Sequence, residues 1–166
     1  MSEEILIEKY LSKEEKYRSL LPQIKSLVEG ETSLVTNLAQ ICGALKFAMD
    51  DFWWVGFYFV EGPDLVLQPF QGPVACSRIK IPQGVCGACV ERKETIIVPD
   101  VDKFPGHIAC SALSKSEIVI PIFKNGEVKA VLDIDSDKYN NFDETDKLWL
   151  EELGGIVSNL MQSQLN

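Results

Sequence analysis

The chain has 166 residues, 46% hydrophobic and 25% charged, the balance of a soluble globular fold long enough to bury a real core. A formal net charge of −9 argues against nucleic acid as a partner, because a polyanion needs a basic face to displace its counterions. The nine-residue apolar run Phe52–Val60 is too short for a membrane span, and Met1-Ser2-Glu3-Glu4 lacks the basic start of a secretory signal.

The five cysteines, an odd number, then fit a reducing cytoplasm, and are read as reactive thiols, metal ligands or inert core residues. A short helix is expected over residues 1–11. Ser12 with Glu15 forms a capping box for the next helix, in which Tyr17, Leu20, Leu21, Ile24, Leu27 and Val28 keep helical spacing up to Gly30. Such an apolar stripe serves either the chain's own core or a second copy in a homodimer. A further helix begins near Thr32 or Ser33 and buries Leu34, Leu38, Ile41, Leu45 and Ala48, with Cys42 beside them as a small core residue.

Phe52–Val60 is aromatic and short, which predicts a strand. Alternation assigns Trp53, Val55, Phe57 and Phe59 to the core face, and Trp54, Gly56, Tyr58 and Val60 to the other. Glu61-Gly62-Pro63-Asp64 turns the chain into a second strand, Leu65–Phe70. A short strand at Arg78–Ile81, a helix over Val85–Lys93 and a strand at Thr95–Val98 follow. A long loop then carries Cys110 to the strand that begins near Glu117. Ile118, Ile120 and Ile122 face the core, while Glu117, Val119 and Pro121 face away.

Asn125-Gly126 marks a hairpin. On its returning strand Val128, Ala130, Leu132 and Ile134 share one side, and Lys129, Val131, Asp133 and Asp135 the other. Matching the two apolar sides predicts a three-residue loop, Lys124–Gly126, with Glu117 opposite Asp133. Asp143 caps a last helix whose buried face is Trp149, Leu153, Ile156, Val157 and Leu160. Gly154-Gly155 inside it costs about 1 kcal/mol per residue against alanine, which a close neighbour would explain. The expected fold is α+β, one domain over 1–166 with residues 1–31 as an N-terminal helical extension. Helices cover one face of a mostly antiparallel sheet and loops cover a pocket on the other.

Trp54, Tyr58, Glu117, Asp133 and Asp135 all project from the loop-covered face. Three clustered acids repel one another when ionised, and burial raises at least one pKa. They suit a cation, or a proton donated to an oxygen; a solvated acidic face is the plain alternative. Asp133-Ile134-Asp135 lacks a calcium-loop pattern, and Cys86-Gly-Ala-Cys89 has no second ligand pair beyond the lone His107, so no bound metal is expected. His107 itself reads as a surface loop residue. Cys76 and Cys110 lie on loops, but spacing does not say whether their Cα atoms come within the ~7 Å a disulfide requires. Arg78, Lys115 or, alternatively to its surface reading, His107 is a candidate for stabilising a thiolate.

Six segments stand in one order: Phe70-Gln-Gly-Pro-Val-Ala-Cys76, Gly84-Val-Cys-Gly87, Val98-Pro-Asp, Phe104-Pro-Gly-His-Ile-Ala-Cys110, Ser116-Glu-Ile-Val and Val131-Leu-Asp-Ile-Asp-Ser136. In series they resemble the free methionine-(R)-sulfoxide reductases, stand-alone members of the GAF-domain fold. The resemblance implies a six-stranded sheet with a closed pocket, and places Cys110 on the nucleophile, Cys76 on the resolving cysteine and Cys86 on the third family cysteine, a possible alternative resolver. Trp54, Tyr58, Glu117, Asp133 and Asp135 fall on pocket positions. It further implies reduction of free methionine (R)-sulfoxide without a bound cofactor, through a sulfenic acid and a disulfide that thioredoxin or another thiol reduces. Cys89 departs from the family pattern. A non-catalytic GAF ligand sensor and a thiol redox switch are the rival readings.

Overall fold

A computed structural model describes residues 4–108, 110 and 112–163. Among these the helices are α1 (Lys13–Val28), α2 (Leu34–Ala48), α3 (Gly84–Arg92) and α4 (Glu144–Ser163). The strands are β1 (Trp54–Glu61), β2 (Asp64–Gln71), β3 (Arg78–Lys80), β4 (Ile96–Val98), β5 (Ser116–Lys124) and β6 (Glu127–Ser136). They form one six-stranded sheet in the order β3-β2-β1-β6-β5-β4, with every pairing antiparallel.

The helix boundaries follow local chemistry. Ser12 accepts from the Glu15 N–H while the Glu15 carboxylate takes the Ser12 N–H, closing the capping box of α1. Ser33 caps α2. Asp143 accepts from the N–H groups of Thr145 and Asp146 at the head of α4. The helix expected over 1–11 is absent: residues 1–3 lie outside the described residues, and residues 4–11 carry no helix. Instead, Leu6 exchanges both backbone bonds with the Gln23 side chain of α1, at 2.8 and 2.9 Å. The side-chain amide competes successfully for the backbone groups a first helical turn would need.

Helices α1, α2 and α4 cover one sheet face. Tyr17, Leu20, Ile24, Leu38, Ile41, Phe57, Ile120, Leu132, Ile134 and Leu153 share that core, so the α1 stripe is used within the chain. Burying each such side chain contributes about 1.5–3 kcal/mol. Asp146 is fully buried within this layer, where Tyr17 Oη donates to it at 2.7 Å and Lys13 Nζ at 2.5 Å, tying α1 to α4. Gly154 faces β5, its side-chain direction meeting Ile120 Cγ2 at 3.4 Å, whereas Gly155 is exposed.

The β5–β6 hairpin corrects the predicted register. Lys124 pairs with Glu127, leaving a two-residue turn in which Asn125 (φ 53°) and Gly126 (φ 78°) are both left-handed. A bulge between Ile122 and Phe123 then skips Lys129, restoring the parity that a third loop residue was expected to supply. Glu117 consequently lies opposite Asp135, not Asp133, and Ile118 lies opposite Ile134. Beyond the bulge, Val128 turns to the loop-covered side and joins the second apolar cluster.

Candidate active site

The second sheet face is covered by α3 and by described residues of two loops, among them Ala75, Cys76, Val101, Phe104 and Ile108. One cavity there is lined by Trp54, Tyr58, Cys86, Cys110, Glu117, Asp133 and Asp135, seven of the eight residues singled out from sequence. The eighth, Cys76, is disulfide-bonded to Cys110, with their Cα atoms 5.5 Å apart. That distance satisfies the requirement that spacing alone left open.

Strand register assembles the acids. Asp135 stands between Trp54 of β1 and Glu117 of β5, while Asp133 stands between Gly56 and Val119. Glu117 and Asp133 are diagonal neighbours on one face and hydrogen-bonded. Burial pushes the Asp133 carboxyl up to about 6, opposed by hydrogen bonds from Glu117 and Cys86. Burial, and then the negative charge of Asp133, push Glu117 well above the ordinary carboxylate range. The same two causes act on Asp135, partly offset by the Ser114 hydroxyl that donates to it. Burial and mutual repulsion therefore favour the protonated forms of Glu117 and Asp135 beside Asp133. Asp133 Oδ1 is buried without a hydrogen-bond partner among the described residues.

The aromatic residues brace the Cys76 loop. Trp54 stacks against Tyr58 and Phe70 at centroid distances of 6.2 and 5.4 Å. Its indole N–H donates to Pro73 O at 3.0 Å, and Tyr58 Oη donates to Cys76 O at 2.9 Å. The space over Gly56 is filled by the Trp54 ring, and a Cβ there would also stand 2.6 Å from Phe70 Cβ.

Helix α3 aims its N-terminus at the same cavity. Its first intrahelical bond is Gly87 N–H to Gln83 O, and Gln83 supplies no side-chain cap. The N–H groups of Gly84, Val85 and Cys86 are therefore without intrahelical acceptors, and these residues line the cavity. The open N–H groups of α3 therefore border the same cavity as the Asp133 carboxyl.

A GAF-domain family profile matches residues 31–162. This chain belongs to the GAF-domain family. GAF domain-containing protein A of Dictyostelium discoideum is 53% identical over 160 residues, covering 96% of this chain and 100% of that relative. The free methionine-R-sulfoxide reductase of Saccharomyces cerevisiae is 44% identical over 156 residues, covering 89% of this chain and 87% of its own. A crystal structure of the free methionine-R-sulfoxide reductase from Neisseria meningitidis, in complex with its substrate, superposes with a TM-score of 0.93 at 47% identity, covering 96% of each chain.

Within this GAF domain several residues depart from the sequence expectations. Trp53 was assigned to the helix-covered core but lines the cavity, because β1 begins at Trp54 and alternation does not extend back to it. His107 is not a surface residue: its side chain is 14% exposed and Nε2 stands 4.0 Å from Glu117 Oε2. Burial lowers the imidazole pKa and raises that of Glu117, so both shifts disfavour an ion pair at this contact. Arg78 instead pairs with Asp64 at 3.6 Å, and the Lys115 ammonium lies 5.6 Å from the Tyr139 ring centroid. Ser114 and the α3 N-terminus were not singled out. A helix entered at Gln83-Gly84, with no Ser, Thr or Asp cap, was the legible sign of the latter.

Cys42 donates to Pro69 O at 3.3 Å, and burial lifts its pKa to about 12, the behaviour of an inert core thiol. Cys89, also buried and free, points to Val119 O at 3.7 Å.

Proposed function

We propose that this GAF domain reduces free L-methionine (R)-S-oxide to methionine. The observation that carries the reading is the Cys76–Cys110 disulfide at a cavity floored by buried carboxyls. Similarity to reductases named for this substrate supports it. The substrate enters as a zwitterion. Its ammonium sits on Asp133, supplying the partner that Oδ1 lacks, and its carboxylate takes the N–H groups at the head of α3. An amide-linked methionine sulfoxide has neither charge.

Asp135, held by Ser114 to the segment that carries Cys110, donates its proton to the sulfoxide oxygen. Sulfur becomes electrophilic and the Cys110 thiolate attacks. The new bond between the two sulfurs then breaks as the protonated oxygen passes from methionine sulfur to Cys110 sulfur, so methionine leaves two electrons richer and Cys110 is oxidised to a sulfenic acid. Cys76, positioned through Tyr58, condenses with it to give the disulfide and water. Cys86 is an alternative resolving thiol only after rearrangement, since it is buried beside Asp133 and burial raises its pKa. Thioredoxin or a similar dithiol closes the cycle, and its electrons make a prosthetic group unnecessary. That need for a thiol donor places the protein in the reducing cytoplasm. The reading treats the chain as one catalytic unit with residues 1–31 as an extension.

The test offers purified protein, with dithiothreitol or thioredoxin, the separate R and S forms of free and peptide-bound methionine sulfoxide. Consumption of the free R form alone, with methionine released, is expected. Binding without turnover would replace the enzyme with a ligand sensor.

A further inference from the structure

Cys86 has no obligatory part in the cycle above, yet it is buried against the acids. Cys86 Sγ and one carboxylate oxygen each from Glu117 and Asp133 all lie within 4.8 Å of one another. Cys86 is 3% exposed, Glu117 6% and Asp133 7%, and Asp133 Oδ1 has no hydrogen-bond partner among the described residues. One soft thiolate and two hard carboxylates suit a borderline divalent cation. Zinc takes sulfur at ~2.3 Å and oxygen at ~2.0–2.2 Å, so tetrahedral donors stand about 3.5 Å apart. Closing the triad by about an ångström forms three legs of such a site, with the fourth directed into the cavity.

We propose that Cys86, Glu117 and Asp133 form a site for a thiophilic divalent cation, Zn²⁺ above all, that overlaps the ammonium position of the substrate. Binding releases the Cys86 thiol proton and the shared carboxyl proton to solvent. The bound cation then blocks the ammonium position and holds Cys86 out of any disulfide. Cys89 takes no part: its sulfur is directed to Val119 O. The helical Cys86-x-x-Cys89 spacing therefore does not make a two-thiol site. Competition with substrate rests on the functional reading above; the metal site itself does not.

The test uses the full chain in its disulfide form, in which Cys76 and Cys110 are unavailable as thiolates. Co²⁺ serves as an optical probe, and Zn²⁺ is titrated against a chromophoric chelator. One equivalent per chain is expected, with a near-ultraviolet sulfur-to-cobalt charge-transfer band. Cys86→Ser should remove the band and weaken Zn²⁺ binding at least tenfold, while Cys89→Ser keeps both. In the wild-type chain, Zn²⁺ should slow thiol modification at a site mapped to Cys86 by mass, a readout that requires no variant to fold. A band that survives in Cys86→Ser, or no binding at millimolar metal, overturns the site. Free methionine, which is not turned over, should displace the metal. Cys86-dependent binding that methionine leaves untouched upholds the site and overturns the ammonium assignment.

Discussion

The two faces of the sheet obey the same alternation and bury opposite chemistries. On the helix side, Ile118, Ile120, Leu132 and Ile134 meet α1, α2 and α4 in an apolar layer. On the loop side, the alternate positions of the same two strands bury Glu117 and Asp133 and half-bury Asp135. Transfer of apolar surface from water stabilises the first face, whereas desolvation of carboxyls destabilises the second. Stability and reactivity are therefore separated by a single residue step along β5 and β6. The second face is tolerable because raised pKa values favour the neutral forms of Glu117 and Asp135 and an apolar rim, including Trp54, Tyr58 and Val131, surrounds them.

The separation is broken most completely on the reactive side. Cys110→Ser should lower turnover by ~10⁴-fold or more, without loss of fold. Cys76→Ser should release about one methionine per chain and then stall, which a rapid-quench assay would resolve. Continued turnover in Cys110→Ser would remove the nucleophile assignment. On the helix side, Leu132→Ala should destabilise by about 2–5 kcal/mol in denaturant unfolding, leaving the turnover of the folded fraction unchanged. A comparable loss of turnover per folded molecule would mean the faces are coupled.

Asp135→Asn should reduce kcat by ~10²-fold with little change in KM, because proton donation is lost while the ammonium and carboxylate contacts remain. The smallest effect concerns stability and pH. Asp133 has a folded-state pKa of about 6, above its unfolded value, so the native chain holds the extra proton. Its contribution to stability is fully present below the unfolded pKa, near ~3.9, and is lost as pH rises through 6. Asp133→Asn should accordingly raise stability by about 1–3 kcal/mol at pH 8, with the difference shrinking towards pH 4. Thermal melts across that range check the sign, and a variant less stable at pH 8 would contradict it.

Much of the fold was legible because apolar periodicity reports burial directly. The stripe Tyr17, Leu20, Leu21, Ile24, Val28 and the alternation of Ile118, Ile120, Ile122 are buried as read. The β5–β6 register was not. Parity was reasoned correctly, but a third loop residue and a bulge one step later satisfy parity equally well. Asn125-Gly126 is comfortable with two left-handed residues, so the turn remained short and the bulge absorbed the mismatch at Lys129. Trp53 was misplaced for a related reason: alternation holds only within a paired strand, and it stands one residue before β1.

The sequence by itself determined which side chains share a sheet face, apart from Trp53 and Val128, where α1, α2 and α4 begin, and which thiols sit on loops, since all three depend on local geometry and spacing. Tertiary structure decided how the three acids' pKa values are displaced, because desolvation and charge coupling among Glu117, Asp133 and Asp135 depend on strand register. It also decided that His107 enters the cavity and that α3 points its open N–H groups there. Above all it joined Cys76 to Cys110 across 34 residues, a meeting set by the folding of two loops over β1, β5 and β6.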